Sequence, residues 1–137
     1  MPFTIRSVDY YYANVRDELG AAYRVLSHLA ERGVNLLAFT AVPAGPTLVQ
    51  FALFPEDANQ LVAEARAAQL ALDGPHSALL VQGDDELGAL ADVHERLFQA
   101  GIDIYASSGV TDARGGFGYV VYVREDQFKN AVRALEL

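Results

Sequence analysis

The order of apolar and polar residues predicts an alternation of strands and helices. The β-forming residues over 3–13, among them the run Tyr10–Tyr12, predict a first strand. A helix is predicted over 18–32, because apolar residues recur there at spacings of three and four and Gly33 then ends the pattern. We expect Asp17 to cap its first turn. The apolar face of this helix consists of Leu19, Ala22, Tyr23, Leu26, Leu29 and Ala30.

A hairpin and a second helix follow: a strand over 34–42, a turn over 43–46, a strand over 47–54 and a helix that begins at Pro55, Glu56 and Asp57. Leu70–Leu72 is a candidate for a short fourth strand. Asp73–Pro75 is a candidate linker, because Gly and Pro interrupt both strands and helices there.

The same order of elements then returns: a strand over 77–82, a helix over 85–100, strands over 102–110 and 117–124 around a turn at 112–116, and a helix over 125–135. The motif at the start of the first helix returns with it, since Asp17–Ala21 (Asp-Glu-Leu-Gly-Ala) recurs as Asp85–Ala89, 68 residues later. Self-similarity at a fixed offset indicates one structural unit used twice.

We therefore predict an α+β fold of two ferredoxin-like units, each with the order strand, helix, strand, strand, helix, strand and with helices on one face of an antiparallel sheet. The predicted units cover residues 1–73 and 74–137, and the fourth strand of the second unit is expected to be vestigial or absent. The third strands, over 47–54 and 117–124, are apolar on both faces. The open faces therefore need cover from the other unit or from a second chain, and we expect a homodimer.

Composition and charge exclude several classes of function. The 137 residues are 52% apolar and 20% charged, which is typical of a folded globular protein. The net charge of -8 is unfavourable for binding nucleic acid or an anionic membrane. No apolar run reaches the length of a membrane helix, and the first residues lack the layout of a signal peptide, so we expect a cytoplasmic protein. The absence of cysteine excludes disulfides and thiol catalysis.

The repeated glycine is the unusual residue of the motif. Gly20 and Gly88 fall in the first turn of the predicted helices, where Gly costs up to about 1 kcal/mol relative to Ala. One interpretation is that a ligand approaches the free backbone N–H groups of the helix start, where an anion such as a carboxylate is favoured. The other is that a strand or the neighbouring unit packs tightly against the glycine. The spacing alone leaves both interpretations open.

Residues 81–93 (Val-Gln-Gly-Asp-Asp-Glu-Leu-Gly-Ala-Leu-Ala-Asp-Val) and 99–105 (Gln-Ala-Gly-Ile-Asp-Ile-Tyr) resemble the ACT domain, a ferredoxin-like regulatory module that binds amino acids. Residues 14–23 match the same pattern less fully. The likeness spans nearly the whole chain, which therefore resembles stand-alone tandem ACT proteins. The resemblance implies a regulatory sensor without catalytic activity, with an amino acid as the expected ligand, a regulated protein as a possible partner and no cofactor.

In ACT domains the ligand lies between adjoining units, against the loop from the first strand to the first helix and the start of the second strand. The resemblance therefore implies two sets of ligand-binding residues: Asn14, Asp17, Leu19, Gly20 and Asn35, and Asp84, Asp85, Leu87, Gly88 and Asp103. Many ACT motifs have Pro before the Gly, where this chain has Leu19 and Leu87. The acidic residues of the second set repel a carboxylate unless the amino group of the ligand faces them.

The remaining candidates indicate neither catalysis nor a metal site. His94 takes the position of Leu26 on the buried stripe, so we expect a hydrogen-bonded core or interface histidine. His28 and His76 lack the spacing of zinc or non-haem iron ligands. Asp84–Glu86 are acids at a helix start, which more commonly complement the helix dipole than hold a cation. No nucleophile with an adjacent base is recognisable.

Three alternatives come from other classes of protein. An RNA-binding ferredoxin-like domain needs basic residues on its open face, and the charge of -8 is unfavourable for it. A small enzyme of acylphosphatase type needs an Arg in a Gly-rich phosphate loop, and the glycines around Arg16 are missing. A structural or protein-interaction subunit, whose repeated glycine serves only packing, is the main competitor of the sensor.

Overall fold

The computed structural model describes residues 3–137, and Met1 and Pro2, with which the predicted first unit begins, lie outside the described residues. The elements in chain order are β1 Phe3–Arg16, α1 Ala21–Glu31, β2 Leu36–Pro43, β3 Leu48–Pro55, α2 Ala58–Ala67, β4 Asp73–Asp84, α3 Ala89–Gln99, β5 Ile104–Thr111, β6 Gly116–Val123 and α4 Phe128–Ala134. The predicted α+β class is confirmed. Within residues 3–137 no helix has the length and apolar character that crossing a membrane requires.

Two compact units make up the described chain. The first unit is Asp9–His76, and the second unit consists of the described residues up to Val8 together with Ser77–Leu137. β1 and β4 therefore each contribute residues to both units. These boundaries differ from the predicted 1–73 and 74–137, because the leading residues of β1 belong to the second unit.

In the first unit β3 lies between β2 and β1 and pairs with both in antiparallel register. The fourth strand is the beginning of β4, since β1 and β4 are hydrogen-bonded neighbours and a Cβ added to Gly74 would lie 2.9 Å from Tyr11 Cδ2. The predicted fourth strand at Leu70–Leu72 is therefore wrong, because these residues do not form a strand and β4 begins only at Asp73. The predicted linker Asp73–Pro75 is also wrong, because these residues open β4. The buried core is Tyr11, Ala13, Leu29, Val34, Phe51, Leu53 and Leu61.

In the second unit β6 lies between β5 and β4, again antiparallel to both. The fourth strand, predicted to be vestigial or absent within 74–137, is supplied by the leading residues of β1, which lie outside those bounds. Thr4 Oγ1 donates to the carbonyl oxygen of Gln82 at 3.3 Å, and Phe3 is 5% exposed within the core. That core consists of Phe3, Leu79, Val81, Val93, Leu97, Ile102, Tyr119, Val121, Val123, Ala131 and Leu135.

The two units share one strand register at the offset of the sequence motif. Tyr11 pairs with Leu53 in the first unit, and Leu79 pairs with Val121 at the corresponding place in the second. The two hairpins correspond in the same way and carry an irregularity at the same place, between Leu36 and Ala38 and between Ile104 and Ala106. Corresponding residues can therefore be compared directly between the units. β3 is also buried on both faces, as its apolar composition predicts, since Phe51, Ala52, Leu53 and Phe54 are at most 3% exposed.

Replacing Phe3 by alanine tests whether β1 completes the second unit. Phe3→Ala should lower the free energy of unfolding by about 3–5 kcal/mol, because truncating a buried phenylalanine leaves a cavity. Phe98→Ala is the matched control, since Phe98 is 81% exposed and its loss should change stability by no more than about 0.5 kcal/mol. Urea unfolding followed by circular dichroism measures both variants. Equal effects of the two substitutions would contradict the packing of Phe3 in the core.

Candidate functional site

The repeated motif forms a turn that leads into α1 and α3. Gly20 (φ 83°, ψ 6°) and Gly88 (φ 85°, ψ 2°) immediately precede the helices. The backbone N–H groups of Ala21 and Ala89 donate to the carbonyl oxygens three residues earlier, both at 3.1 Å. A bond from residue i+3 to residue i, with these dihedral angles at i+2, is typical of a type II turn, which favours glycine at i+2. The positive φ therefore explains both glycines.

The prediction that Asp17 caps the first helix is wrong. α1 begins at Ala21, and neither α1 nor α3 has a side-chain cap. The backbone N–H of Asp17 donates instead to the carbonyl oxygen of Thr47 at 2.8 Å, and that of Asp85 donates to Gly115 at 2.8 Å. Each motif loop is therefore anchored to the hairpin turn of its own unit.

Tight packing does not account for the glycines. A Cβ added to Gly88 would have no heavy atom of the described chain within 4 Å, and one added to Gly20 would meet Arg24 Nη1 at 3.4 Å. Arg24 lies against the first loop, because its Nη1 donates to the carbonyl oxygen of Leu19 at 3.2 Å and its Nη2 lies 3.8 Å from Glu18 Oε1. The corresponding residue of the second unit is Asp92.

The second loop borders an open pocket of about 660 Å³. The loop and the first turn of α3 form one wall, and the end of β5 with the start of β6 forms the other. Three predicted ligand-binding residues, Asp85, Leu87 and Gly88, line this pocket. The complete lining is Asp85, Glu86, Leu87, Gly88, Ala89, Leu90, Ala91, Gly109, Val110, Thr111, Phe117 and Gly118.

The other predicted residues of the second set lie outside the pocket. Asp84 pairs with Gly116 at the end of β4. Asp103 lies at the far end of β6, where its backbone N–H donates to Gln127 Oε1 at 3.3 Å and its Oδ2 lies 3.7 Å from Arg124 Nε. β6 has eight residues, which span roughly 25 Å in an extended strand. The second unit alone therefore does not bring Asp103 to Gly88.

The predicted ligand-binding residues of the first unit also lie at two opposite ends of their strands. Asn14 pairs with Gln50 in the sheet, near the loop that holds Asp17, Gly20 and the fully exposed Leu19. Asn35 lies at the opposite end of β3, where its Nδ2 donates to Glu56 Oε2 at 2.6 Å. The first unit alone therefore does not assemble the set that the resemblance implies.

A hydrogen-bonded chain of three side chains, here called the polar trio, connects α3, β6 and β5. His94 Nε2 lies 2.6 Å from the Tyr119 hydroxyl, which donates to Ser107 Oγ at 2.9 Å. His94 is exposed rather than part of the core, and its hydrogen bond agrees with the expectation of a satisfied histidine. Sequence reasoning missed Ser107 and Tyr119, although comparison of the two copies could have found them. The corresponding residues of the first unit are Phe39, Phe51 and, for His94, Leu26.

Four acidic residues lie in or near the pocket lining. Asp85 and Glu86 belong to its lining, and Asp92 lies in the first turn of α3. In the adjoining turn the backbone N–H groups of Arg114 and Gly116 donate to Asp112 Oδ1, at 2.7 and 3.0 Å, and hold the pKa of that carboxyl below its usual range. Within residues 3–137 no group of three or more His, Asp or Glu side chains is placed to hold a metal ion.

Comparison with known proteins identifies the fold. No protein-family model and no curated protein matches the sequence. A solved structure from Bacteroides thetaiotaomicron aligns with a TM-score of 0.80 at 14% identity, over 96% of this chain and 88% of that chain. The regulatory subunit of aspartate kinase from Thermus thermophilus aligns at 0.62 and that from Thermus flavus at 0.54, each at 16% identity over 99% of this chain and 95% of that chain. These likenesses show a shared fold.

The positive φ predicts the cost of filling Gly88. Gly88→Ala should lower the free energy of unfolding by about 1–2 kcal/mol, because the left-handed conformation strains any residue with a Cβ. Gly118→Ala is the matched control, since a Cβ there meets no atom within 4 Å and its φ is not positive. Thermal unfolding measures both variants. A Gly88→Ala variant as stable as Gly118→Ala would contradict the assigned turn.

Proposed function

We propose that this chain is a non-catalytic regulatory protein of two ACT-type units that binds an amino acid in the pocket at Gly88. The observation that carries the proposal is the pocket itself, whose wall contains part of the repeated motif. In the second unit Asp92 stands where the first unit has Arg24, and a Cβ at Gly88 would meet no heavy atom of the described chain within 4 Å. The ligand and the change in packing that it causes would together set the state of a protein partner.

The chemistry of the pocket complements the two charges of a free amino acid. Asp85 and Glu86 at the mouth favour a ligand ammonium group. Leu90 and Ala91 belong to the first turn of α3, where backbone N–H groups have no partner within the helix and no side chain caps them. The positive end of the helix dipole favours a carboxylate at the same place. A zwitterion therefore fits better than a simple anion, which the acids would repel.

The assignment of two ACT-type units is supported by the common register of the hairpins at the motif offset. The fold shared with regulatory subunits of aspartate kinase favours a regulatory role over catalysis. Those proteins are described as regulatory, and one of them is described as a ligand-free form. For this chain the regulatory role remains our proposal.

We also propose that the functional form is a homodimer. Asn35 and Asp103 lie far along the sheet from the glycine loops of their own units. A second copy of the chain would bring Asn35 or Asp103 of one copy to the glycine loop of the other. Leu87, Leu90 and Val110 lie on the pocket rim with exposures of 107%, 41% and 74%, and contact between copies would remove this apolar surface from water.

A structural subunit remains the second candidate, because the positive φ explains both glycines without any ligand.

A thermal-shift screen against the twenty amino acids tests the binding function. A ligand at 100 times its dissociation constant adds about 2.7 kcal/mol and should raise the midpoint by several degrees. Ala91→Tyr should abolish the shift, because it places the corresponding residue of the first unit, Tyr23, in the pocket wall. Ala63→Tyr, on an exposed position of α2, is the matched control and should retain the shift. No response to any amino acid would favour the structural subunit.

Sedimentation velocity tests the dimer. We expect a species of twice the mass of the chain, and Val110→Lys should shift it towards the monomer because a charge in an apolar contact is unfavourable. Lys129→Val changes an exposed residue of α4 in the reverse sense and should leave the mass unchanged. A monomeric wild-type protein at micromolar concentration would contradict the proposal.

A further inference from the structure

The polar trio occupies positions that are apolar in the first unit. There Phe39 and Phe51 pack with ring centroids 5.2 Å apart. In the second unit the same positions carry Ser107 and Tyr119, and the Tyr119 hydroxyl donates a hydrogen bond to Ser107 Oγ. A hydrogen bond between protein groups contributes only about 0.5–1.5 kcal/mol net, whereas a half-satisfied group in a core is costly. Since apolar packing holds the first unit at these positions, stability alone does not account for the trio.

The polar trio lies one step inward from the pocket lining on every element that carries it. On α3 the histidine is one turn beyond Leu90, on β5 the serine is two residues before Gly109, and on β6 the tyrosine is two residues beyond Phe117. The tyrosine ring also lies against the pocket wall, since a Cβ added to Gly109 would be 2.8 Å from Tyr119 Cδ1. The trio therefore lies next to the pocket lining on all three elements.

Solvent reaches two members of the trio and not the third. His94 and Ser107 are exposed, while Tyr119 is 6% exposed. The buried tyrosine hydroxyl positions the other two groups, because it is hydrogen-bonded to both. Ser107 keeps its own hydroxyl proton for donation, since its oxygen accepts from Tyr119. The trio thus presents two positioned hydrogen-bonding groups to solvent beside the pocket.

We propose that the polar trio recognises the side chain of the bound amino acid and makes the second unit select ligands with a hydrogen-bonding side chain over apolar ones of the same shape. The inference rests on the proposed function, because it names the class of amino acid that the same pocket takes. With its charged groups at the mouth and at the start of α3, a ligand directs its side chain inward to the trio. An apolar side chain there would remove water from Ser107 and His94 without replacing their hydrogen bonds.

Isosteric pairs of amino acids test this selectivity on the full chain. The pairs are threonine with valine, asparagine with leucine and glutamine with methionine, titrated by calorimetry. At least one polar member should bind about tenfold or more tightly than its apolar partner, as expected where a buried polar group would otherwise be left unpaired. Equal affinities within every pair would overturn the inference and leave amino acid binding intact.

Tyr119→Phe removes only the hydroxyl that joins the trio and keeps the buried ring. The variant should lose the preference for the polar member while its affinity for the apolar member stays within about twofold of wild type. Ser107→Ala should also lose the preference for the polar member. Because Ser107 is exposed, this substitution should leave the fold intact even if Tyr119→Phe disturbs it. Tyr12→Phe is the matched control, since the Tyr12 hydroxyl lies 3.4 Å from that of Tyr10 in the first unit.

The outcomes separate this inference from the function on which it rests. A preference that survives both Tyr119→Phe and Ser107→Ala would overturn the role of the trio. Loss of preference in Tyr12→Phe as well would also overturn it, because a general change in the fold would then explain all three variants. Absence of binding by any amino acid would overturn both the proposed function and the inference.

Discussion

The positive φ of Gly20 and Gly88 is the constraint on which both motif loops depend. A residue with a Cβ is strained in that conformation, whereas glycine completes a type II turn and lets the helix begin directly after it. The turn places Leu19 and Leu87 at its corner, where both side chains are exposed. It also leaves the first turn of each helix without a side-chain cap. The position of the helix start, the exposed leucines and the uncapped N–H groups therefore share one backbone cause.

The two units combine one backbone plan with different side-chain chemistry. In the first unit Arg24 bonds to the loop carbonyl of Leu19. In the second unit the corresponding Asp92 makes no such cover, and a pocket opens beside Gly88. Beside the pocket, the hydrogen-bonded trio of the second unit takes the positions of the aromatic contact in the first. The corresponding positions of the two units thus carry apolar packing in one and hydrogen-bonding groups in the other.

The sequence predicted the features that depend on local order and missed those that depend on distant pairing. Periodicity and turn residues located four helices and the α+β class, because both signals are contained in short windows. The fourth strand of the second unit was missed, because its partner residues lie more than 70 positions away in the chain. Asp17 was wrongly taken as a cap, since an acid before a helix does not reveal that a type II turn intervenes. Three pocket residues were predicted from the motif, but Ser107 and Tyr119 carry no motif and become visible only when the copies are compared.

The membership of residues 3–8 in the second unit sets an order of events during synthesis. Residues 3–8 are made before the first unit, yet their partners in β4, such as Gln82, emerge only after the whole first unit has been made. The strands of the first unit can pair with one another as they leave the ribosome. Residues 3–8 have no partner strand until β4 has been made. Pairing over such a sequence distance is slow compared with local contacts. Residues 3–8 are thus made before the first unit and reach their native neighbours only after it.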